Sequence, residues 1–193
     1  MSWRKKVMWL AGVVVLVELA ALGCHWWWQP APLPMAGMLG KEPVRYWKGD
    51  PRLDYAKVKE SKCRNPRMPE QVVYEAFVAI NNNDWERFKH LTVGREEACK
   101  DMKITEDELR KNMMCLGSLA SKGSGISLSH IVQHQDDWFA IVVFDPKGWK
   151  SMAPLSLTRK YGVWHIDLSD LDHKQDPFAR QALNDRALLE KLN

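Results

Sequence analysis

The chain has 193 residues, of which 46% are hydrophobic and 27% are charged. This composition excludes a wholly disordered chain, and the length accommodates one globular domain with additional segments. The formal net charge is +4, and the first 24 residues contribute +2 of it through Arg4, Lys5, Lys6 and Glu18. The remainder is so close to neutral that it has no electrostatic footprint for nucleic acid, and no nucleic-acid partner is expected.

The N-terminus predicts attachment to a membrane. Residues 4–6 are basic, and the run from Val7 to Gly23 is apolar except for Glu18. A basic start, an apolar core and a small residue before the cleavage point define a secretory signal. Cys24 follows glycine and resembles the lipid-bearing cysteine of a bacterial lipobox, although that pattern prefers leucine where this chain has Ala21. Cys24 is therefore the candidate lipid attachment site.

An uncleaved anchor is the alternative interpretation of the same residues. Val7 to Trp28 makes 22 mostly apolar residues, enough to span roughly 30 Å of hydrocarbon. The tryptophans at 26–28 would then lie at the membrane interface, while Glu18 would cost about 2–3 kcal/mol within the span. A buried core helix is a third interpretation, but no later segment matches it in pattern. Residues 1–28 are thus a signal peptide or membrane anchor, and the first two interpretations place residues 29–193 outside the cytoplasm.

Residues 29–68 are interpreted as a proline-rich linker and arm. They contain six prolines, which exclude one long helix or a central strand and favour an extended spacer. Tyr46, Trp47 and Tyr55 are too aromatic for a purely flexible linker. We therefore expect part of this stretch to pack against the domain, as an arm or as a short helix from Tyr55 to Glu60.

Three helices are predicted at the start of the folded domain, which is assigned to residues 69–193. Pro69 begins the first, whose apolar stripe runs to Ile80 before a run of three asparagines ends it. Asp84 is the expected N-cap of the second, from Trp85 to Leu91. The third helix is predicted to begin at Thr105 with a capping box and to end at about Ser118.

Four strands follow, and a terminal helix is predicted from Asp176 to about Leu192. Pro154 limits the start of the third strand to an edge or a bulge. The sequence therefore predicts an α+β domain, with three N-terminal helices on an antiparallel sheet of about four strands, a C-terminal helix and an N-terminal membrane segment. The predicted strands are Ile126–Val132, Trp138–Phe144, Met152–Lys160 and Val163–Leu168.

Two segments resemble the nuclear transport factor 2-like superfamily. Pro69–Phe77, followed by Asn83-Asp84-Trp85 and then Phe88 to Thr92, is similar to its opening helices. Leu155–Asp167, with a Lys-x-Gly-x-Trp-x-Ile run, is similar to its closing hairpin. The nearest relatives in pattern are uncharacterised bacterial lipoprotein domains of that superfamily. The resemblance covers about residues 68–168 and implies a curved sheet around helices, forming a cone with an apolar pocket.

The resemblance also suggests pocket residues. Some members of the superfamily are isomerases or dehydratases that use an Asp or His and a Tyr inside the cone, and Tyr74 and Asp84 are the nearest positional matches. Helix packing for Tyr74 and capping for Asp84 are the structural alternatives. His130 and His165 lie on predicted strands and could point into the pocket. His130 and His134 share a strand face, but two histidines without a third ligand make a poor zinc site. No metal, cofactor or catalytic residue is assigned.

Three cysteines remain if Cys24 carries lipid. Cys115 falls in an amphipathic helix and is expected to be a buried thiol. Cys63 in the arm and Cys99 in a loop are then the expected disulfide pair, which would clamp the arm to the domain. The connectivity itself cannot be deduced from sequence.

Three classes of function agree with these observations. The first is a membrane-tethered, periplasmic binding or accessory module without catalytic activity, with a small apolar ligand or a peptide in its pocket. The second is a bitopic scaffold component of an envelope or secretion complex, with an envelope protein as its partner. The third is an enzyme of the isomerase or hydratase type that uses the pocket of the cone.

Overall fold

The computed structural model describes residues 35–39, 42–120, 125–145 and 151–169. The predicted membrane segment within residues 1–28 and the predicted helix over 176–192 lie outside the described residues. Residues 34–193 belong to one compact unit and residues 1–33 to another. The elements described below all belong to the larger unit.

Four helices are present among the described residues: α1 Pro69–Asn81, α2 Trp85–Leu91, α3 Arg95–Met102 and α4 Glu106–Ala120. The predictions for α1 and α2 are confirmed. The capping box before α4 is confirmed as well, because Glu108 Oε2 accepts from Thr105 N at 2.8 Å and Glu108 N donates to Thr105 Oγ1 at 3.3 Å. The expectation of three helices is corrected to four. The prediction missed α3 because this helix buries only Ala98 and has no apolar stripe.

Seven strands are present among the described residues: β1 Met35–Leu39, β2 Glu42–Lys48, β3 Thr92–Val93, β4 Gly125–His134, β5 Asp137–Asp145, β6 Ser151–Lys160 and β7 Val163–Asp167. They form one sheet in the order β1-β2-β4-β5-β6-β7-β3. The protein is thus α+β, as predicted. The expectation of about four strands, all antiparallel, is corrected, because β3 pairs with β7 in parallel and makes the sheet mixed. The four predicted strands correspond to β4–β7.

Among the described residues, the two strand prolines, Pro43 and Pro154, lie where their strands pair on one side only. Pro154 of β6 is opposite Ile141 of β5, whereas the pairing of β6 with β7 begins at Leu157. The edge position predicted for Pro154 is therefore confirmed. The hairpin of β1 and β2 falls within residues 29–68, and Pro43 of β2 pairs with β1 but lies outside its register with β4. Each proline thus avoids a position that requires a second ladder hydrogen bond.

The helices pack against one face of the sheet, which we call the helix face. α1 contacts β5 and β7, and α2 contacts β7. In β4, Leu128 pairs with Val142 and His130 with Ile141, so Ser129 is an extra residue in a β-bulge. The bulge reverses the alternation of β4, which turns His130 away from the helices. The helix face is lined by Ile126, Leu128, Ile131, Ala140, Val142, Leu157, Trp164 and Ile166.

Residues 54–66, which we call the arm, pack on the domain. Tyr55 is only 1% exposed, and Trp164 N donates to Pro66 O at 2.9 Å. The arm forms turns where a short helix was one of the expectations. Side chains in and just after α1 donate hydrogen bonds to backbone carbonyl groups of the arm. Asn81 Nδ2 donates to Tyr55 O at 2.8 Å and to Val58 O at 2.7 Å. Asn82 Nδ2 donates to Lys59 O at 2.7 Å, and Tyr74 OH donates to Glu60 O at 3.1 Å.

Candidate functional site

A cavity of about 600 Å³ lies at the end of the sheet where β5 begins. The β4–β5 turn, the first residues of β5, the second half of β6 and the end of β7 all contribute to its lining. Its volume falls within the range of small-molecule sites. The cavity forms because β6 and β7 continue their pairing beyond the residue at which β5 starts.

The charged groups of the cavity are mainly acidic. Asp136, Asp137 and Asp167 contribute three carboxylates, and Arg159 contributes the one guanidinium among the described lining residues. Hydroxyl groups come from Ser156, Thr158 and Ser169. Three aspartates and one arginine give these described lining residues a formal net charge of −2. This arrangement suits a polar ligand, and its charge favours a cationic group.

Packed indole rings line the cavity beside its charged and hydroxyl groups. Trp138 stacks on Trp47 with ring centroids 5.1 Å apart and meets Trp164 edge-on at 4.9 Å. Trp138 and Trp164 both line the cavity. Since aromatic pairs of this geometry stabilise each other beyond their area burial, the rings provide a preorganised surface. Indole faces also attract cations more strongly than other aromatic rings do.

Gly94 fixes the rim at the end of β7. Asp167 Oδ1 accepts hydrogen bonds from Ser169 N at 2.9 Å and Ser169 Oγ at 2.6 Å. Gly94 has φ 71°, and a Cβ there would lie 2.6 Å from Ser169 N and 2.7 Å from Asp167 Oδ1. A side chain at this position would therefore displace both rim residues, which explains why glycine suits it.

The structure places Tyr74 and Asp84 in structural roles. Tyr74 is 8% exposed, and its ring lies edge-on to Tyr55 with Lys62 Nζ 4.3 Å from the ring centroid. Asp84 is the N-cap of α2 and accepts from Arg87 N at 3.0 Å. Neither residue lines the cavity at the end of the sheet.

His130 and His165 lie on the sheet face that points away from the helices, which we call the outer face. His130 is 4% exposed, and its Nδ1 is 2.7 Å from Ser129 Oγ. Burial, followed by the positive charge of Lys48, lowers the pKa of His130. Burial also lowers the pKa of His165, which pairs across β6 and β7 with Thr158. The four predicted pocket residues therefore do not converge on one site.

Sequence reasoning missed a buried ion pair that secures the arm. Glu75 of α1 is fully buried, and its Oε2 accepts from Arg87 Nη2 at 2.5 Å. Its Oε1 accepts from the backbone N–H groups of Lys62 and Cys63 at 2.6 and 2.8 Å. Burial alone would raise the pKa of Glu75, but these backbone N–H groups and Arg87 outweigh it and lower the pKa. The signal available in the sequence was the position of Glu75 among the apolar residues of α1, where a carboxylate requires a partner.

Cys63 and Cys99 both have unbridged thiols in the structure. The predicted Cys63–Cys99 bridge is therefore not formed there. Cys63 lies beside the Glu75 carboxylate, and burial together with that negative charge raises the pKa of its thiol. Cys99 packs against the helix-side core, whereas Cys115 is exposed and its Sγ lies 2.9 Å from Asn112 O. The expectation of a buried thiol at Cys115 is thus corrected.

Comparison with protein-family models, with curated proteins and with solved structures finds no match. Within the described ranges, no helix is both long enough and apolar enough to cross a membrane. Among those same residues, no three His, Cys, Asp or Glu side chains are grouped so that they could hold a metal ion. The resemblance to the nuclear transport factor 2-like superfamily stays a prediction.

Proposed function

We propose that this chain is a membrane-tethered binding or accessory module of the bacterial cell envelope, with its domain outside the cytoplasm. The cavity at the end of the sheet is its ligand site, and the ligand presents a cationic group such as the amine of a peptide. The observation that carries this proposal is a cavity of about 600 Å³ with three carboxylates against one guanidinium among its described lining residues.

The chemistry of the cavity supports a cationic ligand. Asp137 of β5 and Asp167 of β7 lie on the two strands that flank β6. Their carboxylates can accept hydrogen bonds from an ammonium group, which has three N–H donors. Charge-assisted hydrogen bonds of this kind are stronger than neutral ones. Trp138 supplies an aromatic surface for the apolar stem or for the cation itself. The apolar ligand expected from the resemblance is a poorer match for this lining.

The contacts do not favour the isomerase or hydratase alternative. An acid–base mechanism requires titratable groups within hydrogen-bond reach of one substrate atom. Tyr74 donates to an arm carbonyl, Asp84 caps a helix, and His130 lies on the outer face. The proposal is accordingly a binding function without catalysis.

Ligand binding can be measured on the detergent-solubilised full chain with tetra-lysine and tetra-glutamate peptides as probes. We expect tetra-lysine to change the tryptophan fluorescence and to bind more weakly at higher salt, because screening reduces interactions between exposed charges. The double substitution Asp136→Asn with Asp137→Asn should weaken binding by about tenfold, since it removes two of the three carboxylates. Asp101→Asn, an exposed carboxylate on α3 outside the cavity, is the matched control.

Equal binding of the two peptides would contradict the cationic preference. An unchanged affinity in the double variant would contradict the location of the site. Calorimetry on the same samples provides the stoichiometry, for which we expect one peptide per cavity. Several peptides per chain, with the same affinity in the Asp101→Asn control and the double variant, would indicate only non-specific attraction.

The tether can be tested separately by membrane fractionation and intact mass. We expect the full chain to remain with the membrane fraction after a high-salt wash, because both interpretations of residues 1–28 anchor it through apolar contacts. A mass that begins at Cys24 plus acyl chains, lost in Cys24→Ala, identifies a lipoprotein. A full-length mass unchanged in that variant identifies a membrane span and favours the scaffold alternative. Recovery in the soluble fraction without detergent would contradict the tether.

A further inference from the structure

Beside the cavity, strand β6 has an edge that β5 leaves unpaired. β5 pairs with β6 as far as Leu157, whereas β7 pairs with β6 as far as Lys160. Among the described strands, Thr158, Arg159 and Lys160 therefore pair with β7 alone. Thr158 and Arg159 line the cavity, so this edge borders the proposed ligand site.

The turn between β6 and β7 fixes the direction of the Arg159 backbone groups. Tyr161 and Gly162 both have positive φ, 52° and 81°, and they form the two-residue turn between Lys160 and Val163. The carbonyl of the first residue of such a turn accepts from the N–H of the fourth, so the backbone groups of Lys160 point to β7. Neighbouring residues of a strand direct their backbone groups to opposite sides. The N–H and C=O of Arg159 therefore point to the side on which β5 has ended.

The two edges of this hairpin end differ in their cover. Trp164 is the cross-strand partner of Arg159, and its N–H donates to Pro66 O of the arm at 2.9 Å. Among the described residues, no backbone group forms a corresponding hydrogen bond with the N–H or C=O of Arg159. A strand edge of this kind can pair with an extended peptide, whose amide groups supply the missing donor and acceptor.

We propose that the ligand is a peptide in extended conformation, and that one of its residues pairs with the backbone of Arg159 where β5 has ended. The N–H of Arg159 donates to the carbonyl of that peptide residue, and the C=O of Arg159 accepts from its N–H. The cationic group of the peptide binds the carboxylates of Asp137 and Asp167, which line the same cavity. A simple amine would satisfy the carboxylates but not the strand edge. The inference rests on the proposed function, because it names the class of ligand that fills the same site.

Backbone methylation of a probe peptide tests this pairing with the detergent-solubilised full chain. The probe is Lys-Ala-Ala-Ala amide, and each of two analogues carries one methyl group, on the amide nitrogen of the second or of the third residue. All three peptides have the same charge. Because only alternate residues of the peptide direct their N–H groups to β6, we expect one analogue to bind about tenfold more weakly and the other to bind as the probe does. Calorimetry measures the three affinities.

A pair of variants tests the same hydrogen bond from the side of the protein. Arg159→Pro and Arg159→Ala both remove the guanidinium, but only Arg159→Pro also removes the backbone N–H. Pro154 already occupies a position of β6 that pairs on one side only, so this strand accommodates proline where no ladder bond is required. We expect the probe to bind about tenfold more weakly to Arg159→Pro than to Arg159→Ala.

Equal affinities of the two methylated analogues overturn the inference, and so do equal affinities of the two variants for the probe. A probe that does not bind, in a chain that binds tetra-lysine, overturns it as well. In these three cases the binding of tetra-lysine still supports the proposed function. If neither tetra-lysine nor the probe binds, the proposed function and this inference fall together. Near-ultraviolet circular dichroism of the packed tryptophans shows whether Arg159→Pro is folded, and if it is not, the two analogues decide.

Discussion

Arg87→Met is expected to lower the free energy of unfolding by about 3–4 kcal/mol, because it leaves the fully buried Glu75 carboxylate without its cation. Arg87 Nη2 also donates to Ser61 Oγ at 2.9 Å and to Cys63 O at 2.8 Å. The substitution therefore removes a charge partner and two anchors of the arm at once. Urea unfolding followed by tryptophan fluorescence measures the loss.

Arg52→Met is the matched control for this prediction. Arg52 pairs with Asp50 at 3.1 Å, but its side chain is 89% exposed. Exposed ion pairs contribute only about 0–1 kcal/mol, so the control should stay close to the unsubstituted chain. Similar losses in the two variants would show that the Arg87–Glu75 pair has no special role. A large loss in Arg87→Met alone would establish that this pair secures the arm.

The same pair has a pH signature. The folded chain holds the pKa of Glu75 below its ordinary value of 4.5. Its contribution to stability is therefore fully present above about pH 4.5 and is lost as the pH falls through the folded pKa. Once Glu75 is protonated it needs no cation, so the difference in stability between the unsubstituted chain and Arg87→Met should become smaller below pH 4.5. A difference that stays constant with pH would contradict the charge pairing.

The sequence predicted those elements that have a period of their own. The stripe from Val72 to Ile80 identified α1, and the apolar runs identified β4–β7. The hairpin of β1 and β2 lies within residues 29–68, whose six prolines favour an extended spacer and so predict a linker. Its strand structure depends on pairing with β4, and this non-local contact leaves no periodic signal in the hairpin itself. The sequence did not predict the short α3 for a related reason. This helix buries only Ala98, so it has no apolar period of its own.

The burial of α1 shows why the Glu75 site was harder to predict. All nine residues from Val72 to Ile80 are buried, although the stripe predicted burial on one side only. The sheet covers one side of the helix and the arm covers the other, and Glu75 binds backbone groups of the arm. A helix covered on two sides needs a second layer that the sequence pattern does not reveal. The cavity was hard to predict for the same reason. Its lining residues come from several strands, and the lengths of the hairpins and the strand register decide which of them lie close together.

Gly49→Ala is expected to destabilise the domain by about 3 kcal/mol, because the backbone of β4 leaves no room for a methyl group. A Cβ on Gly49 would lie 2.0 Å from Leu128 O and 2.7 Å from Leu128 C. Gly49 N also donates to Ser129 O at 2.8 Å, which holds the bulge of β4 against the end of β2. Relief of the clash would have to move either β2 or the bulge, and Leu128 is part of the helix-side core. For a domain of this size, the midpoint of thermal unfolding should fall by about 10 °C.

Gly125→Ala is the matched control, because a Cβ on Gly125 meets no atom within 4 Å. Gly49 directly follows β2 and Gly125 begins β4, so the same methyl group is added at two strand ends of one sheet, with room for it only at Gly125. We expect Gly125→Ala to change the free energy of unfolding by less than about 0.5 kcal/mol. Hydrogen exchange should also show faster exchange in β4 for Gly49→Ala, since the bulge and the ladder to β2 are disturbed together. Equal stability of the two variants would mean that β2 and β4 do not approach as closely as the structure shows, and the attachment of the β1–β2 hairpin to the sheet would then need revision.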